Sequence, residues 1–275
     1  RAIRFRLGRR SPLPERGDMT ELPMSDVAQS GFVVGAALAG RRPIYVVRYQ
    51  GFMLFNAALL LSYAVKARAV WGRRCPILIR AIAMKGSVGP VNGSSQHSLF
   101  TRLPGDVRVI APMTPDEWRA AYDSWMERED VVYLSEHRGA WDNALELPNT
   151  VHISPPNAVL FPLSITRFAA QLATQELSRE GLSVGVHHVI QLKPFFAGSL
   201  IGTFVDLCRC GQGVVLDDDF PGGVGSVIAH QLAMATGARV EFMGLEDRVA
   251  GFGPGMDNLP PGVEQIKQRV RRMLK

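Results

Sequence analysis

The sequence contains little of what defines several protein classes. Three cysteines, Cys75, Cys208 and Cys210, are too few for a disulfide scaffold, which predicts a reducing compartment and therefore a cytoplasmic protein. No apolar run approaches the roughly 20 residues that cross a bilayer, so a transmembrane protein is not expected. Charged residues make up only 20% of the chain against 47% hydrophobic residues. This balance excludes a wholly disordered chain.

Excess charge is small and is concentrated at the two ends of the chain. The formal net charge is +6, with arginines gathered in residues 1–10 and basic residues again in 267–275. A nucleic-acid-binding surface needs a basic stripe with interleaved aromatic residues, and neither end supplies one. The sequence therefore predicts solvated basic ends, with no nucleic-acid partner and no membrane partner.

The common phosphate-binding and hydrolase motifs are also missing. The sequence has no GxxxxGK[ST] loop and no GxSxG elbow. The pair Cys208 and Cys210 lacks the spacing of a zinc knuckle. His187 and His188 are neighbours on a predicted strand, so their side chains point to opposite faces and do not easily bind one metal. Structural roles are therefore favoured for these four residues.

What is present is an alternation of strands and helices. Short β-branched strands and amphipathic helices follow one another in two series, a pattern typical of parallel sheets covered on both faces. Between the series, prolines crowd together as in a linker. We predict an α/β protein of two doubly wound, mostly parallel-sheet domains over residues 1–150 and 164–275, with a linker over 151–163. We also expect one long helix over 55–71 and one strand over 182–192.

Three places in the sequence could carry chemistry. Asp26 lies at the entry of an apolar helix, where a carboxylate is costly without a partner, so it is either a working carboxylate or a helix cap. His97 lies on a glycine- and serine-rich loop and is an acid–base candidate, although an exposed loop histidine is the favoured alternative. Residues 217–219, all aspartates, follow a predicted strand at the position where parallel sheets bind ligands. A solvated turn is nevertheless the favoured interpretation of these acids.

The order of several short segments resembles a known family. The matching segments are Met24-Ser-Asp26, Gly31-x-x-x-Gly35, Arg42-Pro43-Ile, Phe52, Pro76-Ile-Leu-Ile-Arg80, Gln96-His97-Ser98, the run from Pro104 to Pro112, Glu136-His137, Leu192-x-Pro194 and Gly222-Gly-Val-Gly225. Together they resemble the beta subunit of the thiamine diphosphate-dependent decarboxylating component of 2-oxo acid dehydrogenase complexes. The resemblance extends over nearly the whole chain from residue 22.

This resemblance implies a fold, an activity and a partner. The fold is a transketolase-like pyrimidine-binding domain, truncated at its N-terminus, followed by a transketolase C-terminal-like domain. The activity is decarboxylation of a 2-oxo acid and transfer of the acyl or aldehyde unit, with a lipoyl carrier as one possible acceptor. The cofactors are thiamine diphosphate and Mg²⁺, held mainly by an alpha-type subunit in an α2β2 heterotetramer.

The resemblance also implies roles for three residues. Asp26 occupies the position of the carboxylate that bonds to N1′ of the aminopyrimidine. Phe52 occupies the position of the aromatic residue that packs on the pyrimidine ring. His97 occupies the position of a loop histidine near the reacting substrate, where it would donate a proton or stabilise charge.

The chain departs from the family pattern at several positions. Asp26 stands where the family has the longer Glu, and Val46 stands where it has an acid. Ala58, Leu59 and Ser62 replace an Asp-Gln pair and an Asn. Two alternatives therefore stay open: a non-catalytic subunit that keeps the fold for assembly, and the C-terminal half of a split transketolase-like enzyme.

Overall fold

The protein folds into two sheets with helices on their faces. In the computed structural model, the described residues are 2–3, 21–84, 95–102, 104–195 and 201–275. The predicted arginine-rich start and most of the glycine-rich loop before His97 lie outside these residues. All three cysteines are free.

Strands and helices alternate along the described chain. The strands are β1 (Ala2–Ile3), β2 (Ile44–Val47), β3 (Leu78–Ala83), β4 (Val107–Ile110), β5 (Val131–His137), β6 (Thr150–Val151), β7 (Ala158–Pro162), β8 (Val184–His187), β9 (Gln191–Lys193), β10 (Gln212–Leu216) and β11 (Arg239–Met243). The α-helices are α1 (Asp26–Leu38), α2 (Met53–Ser62), α3 (Ala67–Trp71), α4 (Ser98–Thr101), α5 (Pro115–Glu127), α6 (Thr166–Arg179), α7 (Ile201–Cys210), α8 (Val224–Thr236) and α9 (Val263–Met273).

The two sheets are mostly parallel, as the sequence predicts. The first has the order β1-β2-β3-β5-β4-β9, with only β9 antiparallel to its neighbour. The second has the order β11-β10-β7-β8-β6, with only β6 antiparallel. The central strands are rich in Val, Ile and Leu and are buried along their length, because helices cover both faces. The predicted α/β class with two doubly wound sheets is confirmed.

Three sequence-based expectations about elements need correction. The predicted linker over 151–163 contains β7, which is fully buried in the second sheet because its apolar residues outweigh the flanking prolines. The predicted single strand over 182–192 is two strands: β8 stays in the second sheet, and β9 crosses to pair with β4 of the first. The start of the chain, expected only as a solvated basic end, contains β1, which pairs with β2. The predicted domain boundaries at 150 and 164 stay predictions.

The predicted long helix over 55–71 is also divided. A 3₁₀ turn at Gln50–Phe52 leads into α2, and a second turn at Ala64–Lys66 separates α2 from α3. By length and composition alone, the stretch Gln50–Trp71 is apolar enough to span a membrane. Its inner side chains, however, join the main hydrophobic core with strands of both sheets. This favours a core helix of a folded domain over a membrane span.

The main core is shared by the two sheets. It contains buried side chains of β2, β3 and β5 together with those of β7, β10 and α8. Separate smaller cores lie under α5 on the outer face of the first sheet, and under α6 and α9 on the outer face of the second. The last residue of β5, His137, therefore meets the residues after β10 between the sheets, with its Nε2 3.9 Å from Oδ2 of Asp218 at the carboxyl ends of parallel strands.

Candidate active site

Asp26 lies in the first turn of α1 and is half buried. Its Oδ1 accepts a hydrogen bond of 2.8 Å from Nδ2 of Asn56 on α2. Ser25, not Asp26, takes the N-cap position, and it makes no capping bond with its side chain. The carboxylate is therefore held by a neighbouring helix, which goes beyond what a simple helix cap requires.

Asn56 is fully buried and organises this corner. Its Nδ2 also donates to the carbonyl oxygen of Phe52 at 3.0 Å, and its Oδ1 accepts from the hydroxyl of Tyr45. Burial and the nearby Asp26 carboxylate raise the pKa of Tyr45, so its hydroxyl keeps the proton that it donates. The same hydroxyl lies 3.2 Å from Oε1 of Gln29. Asn56 thus fixes Asp26 and the backbone of Phe52 relative to one another.

Phe52 ends the 3₁₀ turn before α2, and its ring is half buried. The ring packs edge-on against Tyr49, with centroids 5.8 Å apart. Because Asn56 bonds both to Asp26 and to the Phe52 carbonyl, the carboxylate and this aromatic side chain belong to one small, partly exposed site. The structure thus brings together two of the three predicted site residues.

A chain of buried polar groups connects this corner to His97. Gln50 is fully buried, and its Nε2 donates to Oγ of Ser135 at 2.8 Å and to the carbonyl of Ala81 at 3.1 Å. Its Oε1 accepts from the backbone N–H of Gln96 at 2.6 Å. Ser135 Oγ also lies 3.1 Å from Nδ1 of His97. The network therefore ties the turn before α2 to the segment that carries the histidine.

His97 is fully buried, just before α4. Its Nε2 lies 3.2 Å from Oδ1 of Asp217 and 3.7 Å from Oδ2 of Asp219. Burial by itself lowers the pKa of His97, but Asp217, Asp219 and Asp218 together outweigh it and raise the pKa to about 10. The expectation of an exposed loop histidine is therefore wrong. The expectation that His97 meets substrate stays a prediction, and no direct hydrogen bond joins it to Asp26 in the described chain.

The three aspartates after β10 are buried, which corrects the expectation of a solvated turn. Asp217, Asp218 and Asp219 are at most 4% exposed. Ser95 Oγ donates to Asp218 at 2.6 Å, and Ser98 Oγ donates to Asp219. The reason is topological: the segment before α4 comes from the first sheet and closes over the end of β10, about 120 residues later in the chain.

Sequence reasoning missed several members of this arrangement. They are Tyr45, Gln50, Asn56 and Ser135, all completely buried. Tyr45 and Asn56 are each the single polar side chain of an apolar segment, which is costly unless the side chain finds hydrogen-bond partners, whereas Gln50 and Ser135 stand beside other polar residues and give no such signal. That signal marks a buried polar contact but does not name the partner.

Comparison with known proteins places this site in a family. Residues 6–142 match the model of the transketolase pyrimidine-binding domain, the region that contains Asp26, Phe52 and His97. This match covers most of the N-terminal half of the chain. The resemblance drawn from the sequence is confirmed: the chain is a divergent relative of 2-oxo acid dehydrogenase beta subunits.

Two curated relatives illustrate the similarity. The beta subunit of acetoin:2,6-dichlorophenolindophenol oxidoreductase from Cupriavidus necator is 25% identical over 287 residues, covering 95% of this chain and 82% of the relative. The beta subunit of 2-oxoisovalerate dehydrogenase from Bacillus subtilis is 26% identical over 194 residues, covering 64% of this chain and 57% of the relative. The match to the second relative therefore covers only part of each chain.

A solved structure supports the fold of the whole chain. A split-gene transketolase, described as an inactive beta4 tetramer, superimposes with a TM-score of 0.73 over 93% of this chain and 83% of its own. The sequences are only 18% identical, so this similarity concerns the fold. It extends from the pyrimidine-binding domain into the second sheet.

Proposed function

We propose that this chain is the beta-type subunit of a thiamine diphosphate-dependent enzyme that decarboxylates a 2-oxo acid and transfers the resulting acyl or aldehyde unit. The active site would be shared with an alpha-type subunit. The observation that carries the proposal is Asp26, a partly exposed carboxylate anchored through one oxygen to the buried Asn56. The similarity to beta subunits of 2-oxo acid dehydrogenases supports it independently.

The residues present fit the aminopyrimidine of this cofactor. Asn56 holds Oδ1 of Asp26, and among the described residues no hydrogen bond involves Oδ2. One carboxylate oxygen is therefore fixed and the other is left to accept a bond from a ligand. Phe52, half buried beside the same asparagine, supplies an aromatic surface that suits a flat heterocycle.

The cofactor, when bound, supplies the carbanion chemistry: an acidic carbon that can add to a carbonyl and a ring that can accept the electron pair. The role of Asp26 is to hold a proton at the pyrimidine nitrogen, and Asn56 fixes the carboxylate in place for this. Asp26 is one methylene shorter than the glutamate usual in the family, so either α1 lies closer to the ligand, or a water bridges the carboxylate to it, or activation is weak. A displacement of about 1 Å at such a position can cost on the order of a hundredfold in rate.

His97 acts on this site through other residues. Both ring nitrogens are engaged, Nδ1 with Ser135 and Nε2 with Asp217. The ring is closed off from solvent. We therefore assign His97 a positioning role, through Ser135 and Gln50, in place of direct proton transfer to substrate.

The outer faces of α1 and α2 support the need for a partner. These two helices pack against each other and expose large apolar side chains: Val27, Phe32, Leu38, Leu54 and Phe55, each between 41% and 62% exposed. Apolar patches of this kind mark protein–protein contact. The alpha-type subunit would cover part of this face in an α2β2 particle and would hold the diphosphate with Mg²⁺. A lipoyl carrier as acceptor and a cytoplasmic location complete the proposal.

The test is co-expression with an alpha-type subunit that carries the diphosphate-binding motif, followed by calorimetry with thiamine diphosphate and Mg²⁺ and by assay of 2-oxo acid decarboxylation. Asp26→Ala should lower turnover by roughly 10²–10⁴-fold, the range typical of lost proton-transfer groups. Asp26→Glu should retain activity. Asp123→Ala, an exposed acid on α5, is the matched control and should behave like the parent.

The competing function is a non-catalytic subunit that keeps the fold for assembly. The enclosure of His97 and the buried Val46, in the place of a family acid, favour it. Under that function Asp26→Ala would bind cofactor and turn over as the parent complex does. A monomeric chain in light scattering with the partner present would contradict both functions.

A further inference from the structure

We infer that the buried aspartates after β10 and His97 form a binding site for one divalent cation. Nε2 of His97 and one carboxylate oxygen each from Asp217 and Asp218 all lie within 4.8 Å of one another. The three residues are at most 3% exposed. They come from two distant parts of the chain, so the fold itself assembles the set.

The distances between donor atoms match shared coordination. Two ligands that are each about 2.1 Å from a metal, at angles between octahedral and tetrahedral, lie about 3.0–3.4 Å apart. The Nε2 of His97 lies 3.2 Å from Oδ1 of Asp217 and 3.3 Å from its Oδ2. Asp219 Oδ2 lies 3.7 Å from the same nitrogen and offers a fourth donor.

One carboxylate oxygen has no partner. Oδ2 of Asp218 accepts from Ser95 at 2.6 Å and from Ser164 at 3.2 Å, but its Oδ1 is buried without a hydrogen bond. A cation satisfies the oxygen and also offsets the charge of three adjacent buried carboxylates.

The neighbours of the ligands are arranged as in other metal sites. Metal-binding histidines usually donate their second ring N–H to a protein oxygen, which fixes the ring. Here Nδ1 of His97 lies 3.1 Å from Oγ of Ser135, so Nε2 faces the acids, and an ion that binds there displaces the proton from Nε2. Gly225 at the start of α8 lets Asp217 approach closely, since a Cβ there would lie 2.8 Å from Oδ2. The positive end of α8 thus also lies next to the carboxylates.

The donor set indicates the class of cation. One imidazole nitrogen with two or three carboxylate oxygens suits Mn²⁺ or Zn²⁺ and is poor for soft, thiolate-seeking metals. The site shares His97 with the network that reaches the Asp26 corner, but its proposed ligands do not include Asp26, and its existence does not depend on the proposed reaction. Loss of cofactor binding and loss of metal binding can therefore be measured independently.

The experiment uses the full chain after treatment with a chelator. Equilibrium dialysis with ZnCl₂ alone and with MnCl₂ alone should give one bound ion per chain and raise the melting temperature, since the ion binds only the folded state. Electron spin-echo measurements on the Mn²⁺ form should show coupling to one imidazole nitrogen. Asp218→Asn, which keeps the size of the side chain, should weaken binding by at least about tenfold.

Two control variants make the result specific. Asp247→Asn removes an exposed acid elsewhere and should leave binding unchanged. His152→Gln removes a histidine whose side chain is 53% exposed and which pairs with Asp206 at 2.7 Å. Metal binding that survives Asp218→Asn but is lost in His152→Gln would overturn the inference. So would a parent chain that binds no ion, or a bound Mn²⁺ without a nitrogen signal.

Discussion

Asn56 lies inside an apolar helix, yet its side chain holds both the Asp26 carboxylate and the backbone of Phe52. We expect Asn56→Ala to lower turnover of the assembled enzyme by roughly a hundredfold, because the Asp26 carboxylate loses its only anchor among the described residues. Steady-state assays at saturating thiamine diphosphate would measure this. Gln29→Leu is the matched control: it removes another partner of the Tyr45 hydroxyl without touching Asp26, so stability should fall and turnover should not.

Buried histidines make the free energy of unfolding depend on pH. Burial, together with the charge of Arg167, lowers the pKa of His188 to about 3, and burial likewise lowers that of His187 to about 4. The unfolded state therefore takes up protons at a higher pH than the folded state does. The contribution of these two histidines to the free energy of unfolding should therefore decrease as pH falls from about 6.5 toward 4.

Urea titrations across this pH range would test the effect. His188→Gln should flatten the dependence, since one of the two groups is removed. His230→Gln, at an exposed histidine on α8, should leave the slope as it is. An unchanged slope in His188→Gln would show that another group is responsible.

At the scale of single residues, the sequence predicts which residues belong to the candidate site better than it predicts which residues they contact. Asp26 and Phe52 were found through their place in a family pattern, and the structure joins them through Asn56. His97 was found in the same way, but its enclosure depends on acids about 120 residues further along. No local pattern carries that information, because the contact exists only after both sheets have formed.

Among the elements, the start of α8 is packed tightly against the site. A Cβ at Gly225 would lie 2.7 Å from the ring of Phe242 and 2.8 Å from Oδ2 of Asp217. We expect Gly225→Ala to destabilise the protein by roughly 1–3 kcal/mol, the usual cost of overpacking. Chemical denaturation monitored by circular dichroism would give the value.

A second glycine provides the opposite case. Gly35 lies inside α1, and a Cβ there would meet nothing within 4 Å. Gly35→Ala should therefore stabilise the isolated chain by about 0.5–1 kcal/mol through helix propensity. Equal destabilisation by both substitutions would show that the close packing at α8 is not the cause.

The sequence predicts whether a segment is a helix or a strand. It predicts less well where each element ends and which strand it pairs with. The alternation of β-branched runs and amphipathic stretches correctly indicated two series of strands and helices, which form the two mostly parallel sheets. The helix expected over 55–71 is broken at Tyr63, which lies between the end of α2 and the 3₁₀ turn at Ala64–Lys66. The strand expected over 182–192 divides because its two halves pair with different sheets, which is a tertiary choice that the residue pattern does not encode.

For the molecule as a whole, one buried ion pair joins the two halves. Arg167 on α6 is fully buried and makes two bonds to Glu117 on α5, of 2.7 and 2.5 Å. Glu117→Gln would leave a buried guanidinium without its counter-charge, and we expect a loss of about 3–5 kcal/mol in unfolding free energy. Replacing both partners with methionine should recover much of this loss.

An exposed pair of the same type serves as the comparison. Glu180 bonds to Arg271 through two nitrogens, but both side chains are more than a third exposed. Glu180→Gln should therefore change stability little, because water screens the pair. Equal effects of the two substitutions, measured by denaturant unfolding, would count against a special role for the buried pair.

The switch of β9 between sheets has a practical consequence for anyone who divides this gene. Gln191–Lys193 follows the strands of the second sheet along the chain but completes the edge of the first by pairing with β4. A fragment that stops at residue 163 would carry a bare strand edge into solution, which is a template for aggregation. Soluble material should therefore require both halves to be produced together, as one polypeptide or as co-expressed pieces.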